Sequence, residues 1–245
     1  MNLDRPDRPF QFDDDFEEVV ELDDGTAVLL RLIGPEDREK LERGFEELSW
    51  ESRYSRFLGP KSSLSEREIE YLVNVDQWNH IALGAMLAEG EREGKGIGIA
   101  RSIRLHDEPR VAEAAVTIVD EFQHQGLGRM MLVRLVGAAR ERGIEKFRAT
   151  LFAQNRAMKQ LLEELGEAEV IERDGPVVTL DIRLGAHDET LPTPTPPIAT
   201  PDKPDEPEPP GPLRRVLSLA GRGTVSLVDK FRPHLDPDYE EDEEA

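Results

Sequence analysis

The sequence predicts a mixed α/β (α+β) domain built around one mostly antiparallel sheet. Two observations carry this prediction. Short apolar runs of strand-like composition alternate with turn signals across residues 18–184. Three of these runs, over residues 81–88, 96–105 and 111–119, follow one another without a helical segment between them, which favours antiparallel pairing of neighbours.

Turn and capping residues indicate the elements that precede these three strands. Asp24-Gly25 is a hairpin signal inside an apolar stretch, so residues 19–31 should form a pair of strands. Pro35 suits the first turn of a helix, because its missing N–H is not needed there. Ser65, with Glu68 three residues later, has the pattern of a capping box and predicts the start of a second helix.

Glycines bound the helices that follow the three strands. A helix over residues 129–142 should end at Gly143, and another over 156–165 at Gly166, since glycine readily adopts the left-handed conformation that closes a helix. We expect the remaining strands over residues 147–152, 169–172 and 177–184. The predicted order is a strand pair, two helices, three strands, a helix, a strand, a helix and a last strand pair.

The two ends of the chain differ in composition from its central part. Residues 1–17 are rich in aspartate, and we expect a flexible acidic lead-in. Twelve of the 18 prolines lie beyond residue 185, so residues 185–211 are predicted to form a disordered linker. Residues 212–245 end in an acidic tail but carry apolar residues at helical spacing over 213–231. This short segment either docks, on this chain or on a protein partner, or belongs to a disordered tail.

Charge and composition argue against several classes of function. The chain has 52 acidic and 31 basic residues and a net charge of -21, which repels nucleic acid and anionic membrane surfaces. The absence of cysteine excludes a disulfide framework and a thiolate nucleophile, and the five histidines lack metal-ligand spacing, so we expect no metal. No apolar run is long enough to span a membrane or to act as a signal peptide, which predicts a cytoplasmic location.

The segment between Val116 and Arg129 has the most specific pattern in the chain. A strand ends, a turn that contains Gly126 and Gly128 follows, and a helix begins. The first turn of a helix has unpaired N–H groups and a partial positive charge, and glycines allow a pyrophosphate to approach the backbone. From these residues alone, the segment either binds a phosphorylated ligand or only makes a tight turn. The glycine motifs of Rossmann and P-loop proteins are absent from it.

The motif Gln123-x-x-Gly126-x-Gly128 resembles the (Arg/Gln)-x-x-Gly-x-(Gly/Ala) signature of the GNAT acetyltransferase superfamily. Downstream, Asn155-Arg-Ala-Met158 and the following Leu161-Leu-Glu-Glu-Leu-Gly166 are similar to the second conserved block of that family. The resemblance covers residues 18–184, where the order of elements also agrees. It implies a GNAT fold, with helices on both faces of the sheet and two neighbouring strands that splay apart. It also implies an N-acetyltransferase that uses acetyl-CoA.

The resemblance further implies how acetyl-CoA is held. The backbone of Val116, Thr117 and Ile118 would pair with the pantetheine arm, and Asn155 would contact the pantetheine or the sulfur. The pyrophosphate would lie on the loop, with backbone amides as donors. The loop residues are Gln123, His124, Gln125, Gly126, Leu127, Gly128 and Arg129. The thioester would occupy the gap between the splayed strands.

Glu113 is the best candidate for the general base that acyl transfer to an ammonium requires. It is the only ionisable side chain in an apolar strand, so we expect a partly desolvated carboxyl group with a raised pKa. The resemblance agrees, because bacterial protein-lysine acetyltransferases of the superfamily have a catalytic glutamate on this strand. The alternatives are a glutamate that faces solvent or pairs with Arg101. Leu162 stands where many relatives have a tyrosine that protonates the thiolate, which leaves the general acid unassigned.

The amine acceptor is open at this point. Residues 49–60, between the first two predicted helices, resemble a segment of the protein-lysine acetyltransferase subgroup in the region that shapes the acceptor groove. Arg53, Tyr54, Arg56 and Phe57 therefore either meet the substrate or anchor the core. Both a protein lysine and a small-molecule amine fit the resemblance as acceptors. A non-catalytic sensor or scaffold that binds acyl-CoA is the alternative from another class of function.

Overall fold

The computed structural model of the chain describes residues 11–185, which form one sheet and the helices that cover it. Its strands are β1 (Glu17–Glu21), β2 (Ala27–Leu32), β3 (His80–Leu87), β4 (Gly96–Arg104), β5 (Val111–Ile118), β6 (Lys146–Phe152), β7 (Gly166–Asp174) and β8 (Val177–Leu184). Its helices are α1 (Arg38–Glu46), α2 (Trp50–Phe57), α3 (Glu66–Val73), α4 (Leu127–Glu141) and α5 (Arg156–Glu163).

The strands lie in the order β1-β2-β3-β4-β5-β6-β8-β7. Every neighbouring pair is antiparallel except β5 and β6, which are parallel because α4 carries the chain back across the sheet between them. The predicted fold class, a mixed α/β chain on one mostly antiparallel sheet, is confirmed. Three local signals are also confirmed: Gly25 has a φ of 88° in the β1–β2 turn, Ser65 and Glu68 form the capping box of α3, and Gly143 follows α4 with a φ of 77°. The fourth is wrong, because α5 ends at Glu163 and Gly166 begins β7 without a positive φ.

Helices cover both faces of the sheet, as expected. On one face, α4 contacts β3, β4 and β5 and buries Met131, Leu132 and Leu135 completely. On the other face, α1 contacts β4, and Phe45 and Leu48 are buried beneath it. The core therefore lies mainly under α4, whereas the face under α1 and α2 retains cavities.

The helix α2 is an element that the sequence did not predict, since residues 50–57 were expected only as a connection between two helices. Ser49 caps it by accepting a hydrogen bond from the Ser52 amide, and Leu58 ends it with a φ of 51°. None of its eight residues is fully buried, but Trp50, Tyr54 and Phe57 follow the i, i+4, i+7 spacing of a helix, and this spacing was the signal that could have predicted it. Contacts with β5 and β6 hold it in place.

The beginning of the described chain also differs from the expectation of a flexible lead-in. Phe12 and Phe16 are buried and belong to the main hydrophobic core, with Phe12 packed on Gly137 of α4. The Arg142 side chain donates a hydrogen bond of 2.7 Å to the Phe12 carbonyl oxygen. Burial of these two aromatic side chains therefore holds this segment on the core, although acidic residues surround them. The predictions for residues 1–10, for the linker over 186–211 and for the segment over 213–231 lie outside the described residues.

Candidate active site

A groove lies in the gap between β5 and β6. The two strands pair only from Val111 and Lys146 to Glu113 and Arg148, and beyond this last pair they separate. The predicted splay is therefore present. The groove has a volume of about 600 Å³, and its walls come from residues 113–118 of β5, 149–152 of β6, the loop before α4, and α2 and α5.

The backbone of β5 offers free hydrogen-bonding groups to this gap. The Val119 amide donates to Ile97 of β4 at 2.9 Å, and amides alternate in direction along a strand. The amides of Val116 and Ile118 therefore face the gap, whereas the Thr117 amide faces β4. Of the three strand residues expected to contact the pantetheine arm through their backbone, Thr117 can reach the groove only with its side chain.

The loop before α4 has the shape of an anion-binding turn. A 3₁₀ turn over Asp120–Phe122 leads into His124 and Gly126, which both have left-handed backbone conformations, with φ values of 60° and 82°. The helix begins at Leu127, two residues earlier than expected, so Leu127 and Gly128 lie in its first turn. The first amides of α4 have no partner within the helix, which is the geometry that favours a pyrophosphate.

Most of the expected loop residues line the groove, but the side chains of Gln123 and Arg129 are held by partners elsewhere in the protein. Gln123 donates to the Ile118 carbonyl oxygen at 3.0 Å and to Ser52 Oγ at 3.1 Å. Leu127 is buried, and Arg129 pairs with Glu164 at 2.9 Å. His124 is exposed at the edge of the groove. The loop therefore presents backbone amides to a ligand.

Asn155 and Leu162 lie on the α5 side of the groove. Asn155 caps α5 by accepting a hydrogen bond of 3.1 Å from the Met158 amide, so its side-chain NH₂ is left for another partner. Leu162 is buried and lines the groove, where it supplies no proton. The general acid stays unassigned.

Glu113 lies at the apex of the gap. Its side chain is 6% exposed, and neither carboxyl oxygen has a hydrogen-bond partner among the described residues. Burial raises the pKa of Glu113 to about 8, although the charges of Arg56 and Arg148 oppose the rise. The expected desolvation and the direction of the pKa shift are confirmed. The two alternatives are wrong, because Glu113 is buried and lies opposite Ile103, whereas Arg101 lies opposite Ala115.

Two arginines beside Glu113 were not recognised as a pair from the sequence. Arg56 of α2 and Arg101 of β4 both line the groove. Arg101 is buried and lies 2.7 Å from His80 Nε2 and 3.1 Å from the Leu72 carbonyl oxygen. Burial and the Arg101 charge lower the pKa of His80, so its neutral ring accepts the hydrogen bond. Arg101 interrupts the apolar run of β4, and this was the sequence signal from which its burial could have been predicted.

The structure separates the roles of the four residues expected from α2. Arg53 donates to the carbonyl oxygens of residues 46, 48 and 62, and its guanidinium covers the ring of Phe45. Tyr54 stacks on Phe152 with ring centroids 5.3 Å apart, and Phe57 packs edge-on against Phe45. These three are anchors of the fold. Only Arg56 lines the groove.

Within residues 11–185, no three His, Asp or Glu side chains come together as a metal site. None of the helices in that range is long and apolar enough to cross a bilayer.

Comparison with known proteins agrees with this geometry. The chain is 34% identical over 148 residues to a Pseudomonas aeruginosa protein named as an acetyltransferase, a match that covers 60% of this chain and 78% of the relative. It is 31% identical over 160 residues to the acetyltransferase Pat of Mycolicibacterium smegmatis, covering 65% of this chain and about half (47%) of that protein.

The crystal structure of the GNAT domain of S. lividans PAT superposes with a TM-score of 0.63 at 28% identity. The superposition covers 69% of this chain and 97% of that domain. The model of the acetyltransferase (GNAT) family matches residues 44–166, which include α2, Glu113, the loop before α4 and Asn155. The chain belongs to the GNAT family of acetyltransferases, enzymes that use acetyl-CoA.

Proposed function

We propose that this enzyme transfers the acetyl group of acetyl-CoA to a primary amine by direct attack, with Glu113 as the general base. The observation that supports this most strongly is the position of Glu113 at the apex of the groove, a buried carboxyl group to which no residue within 11–185 donates a hydrogen bond. An unpartnered buried carboxyl group costs folding free energy, so a catalytic role accounts for it better than a structural one. A non-catalytic acyl-CoA sensor would have no use for it.

The groove offers a place for each part of acetyl-CoA. The free amides at the start of α4 would hold the pyrophosphate, the gap-facing backbone of Val116 and Ile118 would hold the pantetheine arm, and the Asn155 side-chain NH₂ would contact the region near the sulfur. The thioester would then lie close to Glu113 and the acceptor end of the groove.

Acyl transfer follows from these positions. The Glu113 carboxylate accepts one proton from the acceptor ammonium, and the free amine attacks the thioester carbonyl. A gap-facing amide of β5 donates to the oxyanion that forms. The C–S bond breaks, and the second proton of the nitrogen passes to the thiolate through solvent. The products are an amide and free CoA, and Glu113 returns its proton to solvent.

The test is acetyl transfer by the full chain to a panel of amines that includes lysine peptides, folded proteins and small amines. Release of free CoA thiol measures turnover, and mass spectrometry of proteins from cells with and without the gene locates acetylated lysines. We expect amine-dependent release of CoA that Glu113→Gln largely abolishes. Acetyl-CoA binding without release for any amine would contradict the proposal, and acetylation of only small amines would exclude a protein lysine.

A further inference from the structure

Arg56 lies between two open spaces rather than in packed protein. It lines the groove beside Glu113 and also a second cavity of about 110 Å³ under α1. Arg101 lines the same two spaces, and most of the other residues around the smaller cavity are apolar, among them Phe45, Met86 and Ile99. A guanidinium in this position is accessible to a ligand that enters from the groove.

The guanidinium of Arg56 lacks the partners that its neighbours have. It lies 5.5 Å from the centroid of the Phe57 ring, and no described residue offers it a hydrogen-bond acceptor. By contrast, Arg53 on the same helix donates to three carbonyl oxygens, and Arg148 binds Asp181 through two hydrogen bonds of 2.7 and 2.9 Å. The donors of Arg56 are thus available.

The charges around Arg56 leave this end of the groove positive. Burial lowers the pKa of Arg56, and the charge of the Glu113 carboxyl, when that group is ionised, opposes the shift. Because burial raises the pKa of Glu113 to about 8, that carboxyl is mostly protonated at neutral pH and supplies little counter-charge. Arg101 adds a second positive charge, although burial and Arg56 lower its pKa to about 9. An acceptor that brings only an ammonium would meet repulsion here.

We propose that Arg56, backed by Arg101, binds a carboxylate of the acceptor, so that the enzyme acetylates amines that carry a carboxylate near the amino group. This inference rests on the proposed function. The guanidinium fork of Arg56 has parallel N–H donors and one charge, which match the coplanar oxygens and single charge of a carboxylate. A phosphate dianion fits less well, because the Arg101 guanidinium already donates to His80 and Leu72.

The test compares acceptors that differ only in a carboxylate and a carboxamide. One pair is β-alanine and β-alaninamide, and the other is a lysine peptide with Glu or Gln beside the lysine, so the two pairs distinguish a small amino acid from an acidic peptide. The kcat/KM of each is measured for wild type and Arg56→Gln. In the favoured pair, we expect Arg56→Gln to lower the kcat/KM of the carboxylate roughly 10-fold to 100-fold more than the kcat/KM of the carboxamide.

Two further variants serve as controls for this test. Arg67→Gln removes one positive charge at an exposed position of α3, outside the groove. It should leave the kcat/KM of both acceptors in each pair unchanged. Arg56→Lys keeps the positive charge but lacks the guanidinium fork. Its kcat/KM for the carboxylate acceptor should therefore fall less than that of Arg56→Gln. Equal losses for both members of both pairs, or no loss for any member, would overturn the inference.

The failure of this inference is distinguishable from failure of the proposed function. If wild type acetylates no amine, the proposed function fails, and the carboxylate site is tested by calorimetry on the CoA-loaded protein with succinate and succinamide. Binding of succinate by wild type but not by Arg56→Gln would sustain the site. Equal binding of succinate to both proteins, or binding to neither, would overturn it.

Discussion

Glu113 of β5 and Arg148 of β6 are the last residues paired between these two strands before they separate. Arg148 binds Asp181 and Glu108 at 2.7 and 2.6 Å, so two carboxylates largely neutralise its charge. The Glu113 carboxyl, in the last pair before the gap, makes no hydrogen bond with any described residue. This arrangement closes the sheet on one side of Glu113 and leaves its carboxyl free to take a proton from a ligand in the groove.

Replacement of Glu113 with glutamine should lower turnover by about 10²-fold to 10⁴-fold near neutral pH, the usual contribution of a general base. The base must be ionised to act, so the kcat/KM of wild type should rise with pH through about 8, and the variant should lack this ionisation. The difference in kcat/KM between wild type and the variant should narrow well above pH 8, because the amine is then already deprotonated when it binds. Calorimetry should find acetyl-CoA affinity nearly unchanged. Normal turnover by the variant would refute the role of Glu113.

The same substitution should change the pH dependence of stability. The pKa of Glu113 is about 8 in the folded protein, against an ordinary value of 4.5. Between these values the unfolded chain releases a proton that the native state keeps, so the carboxyl makes the free energy of unfolding fall as pH rises, by at most about 1.4 kcal/mol per pH unit. We therefore expect the free energy of unfolding of Glu113→Gln, relative to wild type, to increase from pH 5 to pH 8 and to stay constant above pH 8. Thermal and urea melts measure this difference.

An exposed control, Glu93→Gln, separates this effect from a general change in charge. A constant difference in stability between Glu113→Gln and wild type from pH 5 to pH 9 would mean that Glu113 is ionised throughout, in conflict with its burial.

A bulky side chain at Gly128 should block the pyrophosphate. A Cβ at this position would meet only Leu161 at 3.5 Å and Ile118 at 4.0 Å, which are ordinary contacts, so Gly128→Ala should fold and bind CoA nearly as wild type does. Gly128→Trp should fill the groove beside the first amides of α4 and weaken CoA binding by roughly 100-fold, the loss expected for two hydrogen bonds to a charged group. Calorimetry measures the affinity.

Gly128 is a cleaner position for this test than Gly126, whose φ of 82° strains any other residue. Unchanged CoA binding in a folded Gly128→Trp protein would exclude the proposed pyrophosphate site.

A chain that ends at Gly185 should fold and retain acetyl transfer. The described core lies between Phe12 and Leu184, and β8 (Val177–Leu184) completes the sheet between β6 and β7. A chain that ends at residue 176 is the matched control and should not fold, because it loses the buried Val178, Leu180 and Ile182. Circular dichroism, thermal melting and release of CoA thiol report the outcome. Unfolding or inactivity of the longer chain would assign residues 213–231 to the fold.

The sequence by itself determined the succession of strands along the chain, the capped start of α3 and the turn before α4, because each depends on residues close together in the chain. Ser65 and Glu68 are three residues apart, and Gly126 acts on the helix that begins beside it. The desolvation of Glu113 also followed locally, since a lone carboxyl group in an apolar strand must share the burial of its neighbours.

Only the tertiary structure decided which side chains meet. The helix α2 has no fully buried residue, and its position depends on contacts with β5 and β6, which come from distant parts of the chain. Those contacts bring Arg56 to Glu113, 57 positions later in the sequence, and leave its guanidinium without a hydrogen-bond acceptor in the described part of the chain. Burial, electrostatic interaction and an open groove are properties of the packed molecule, because each depends on residues that only folding brings together.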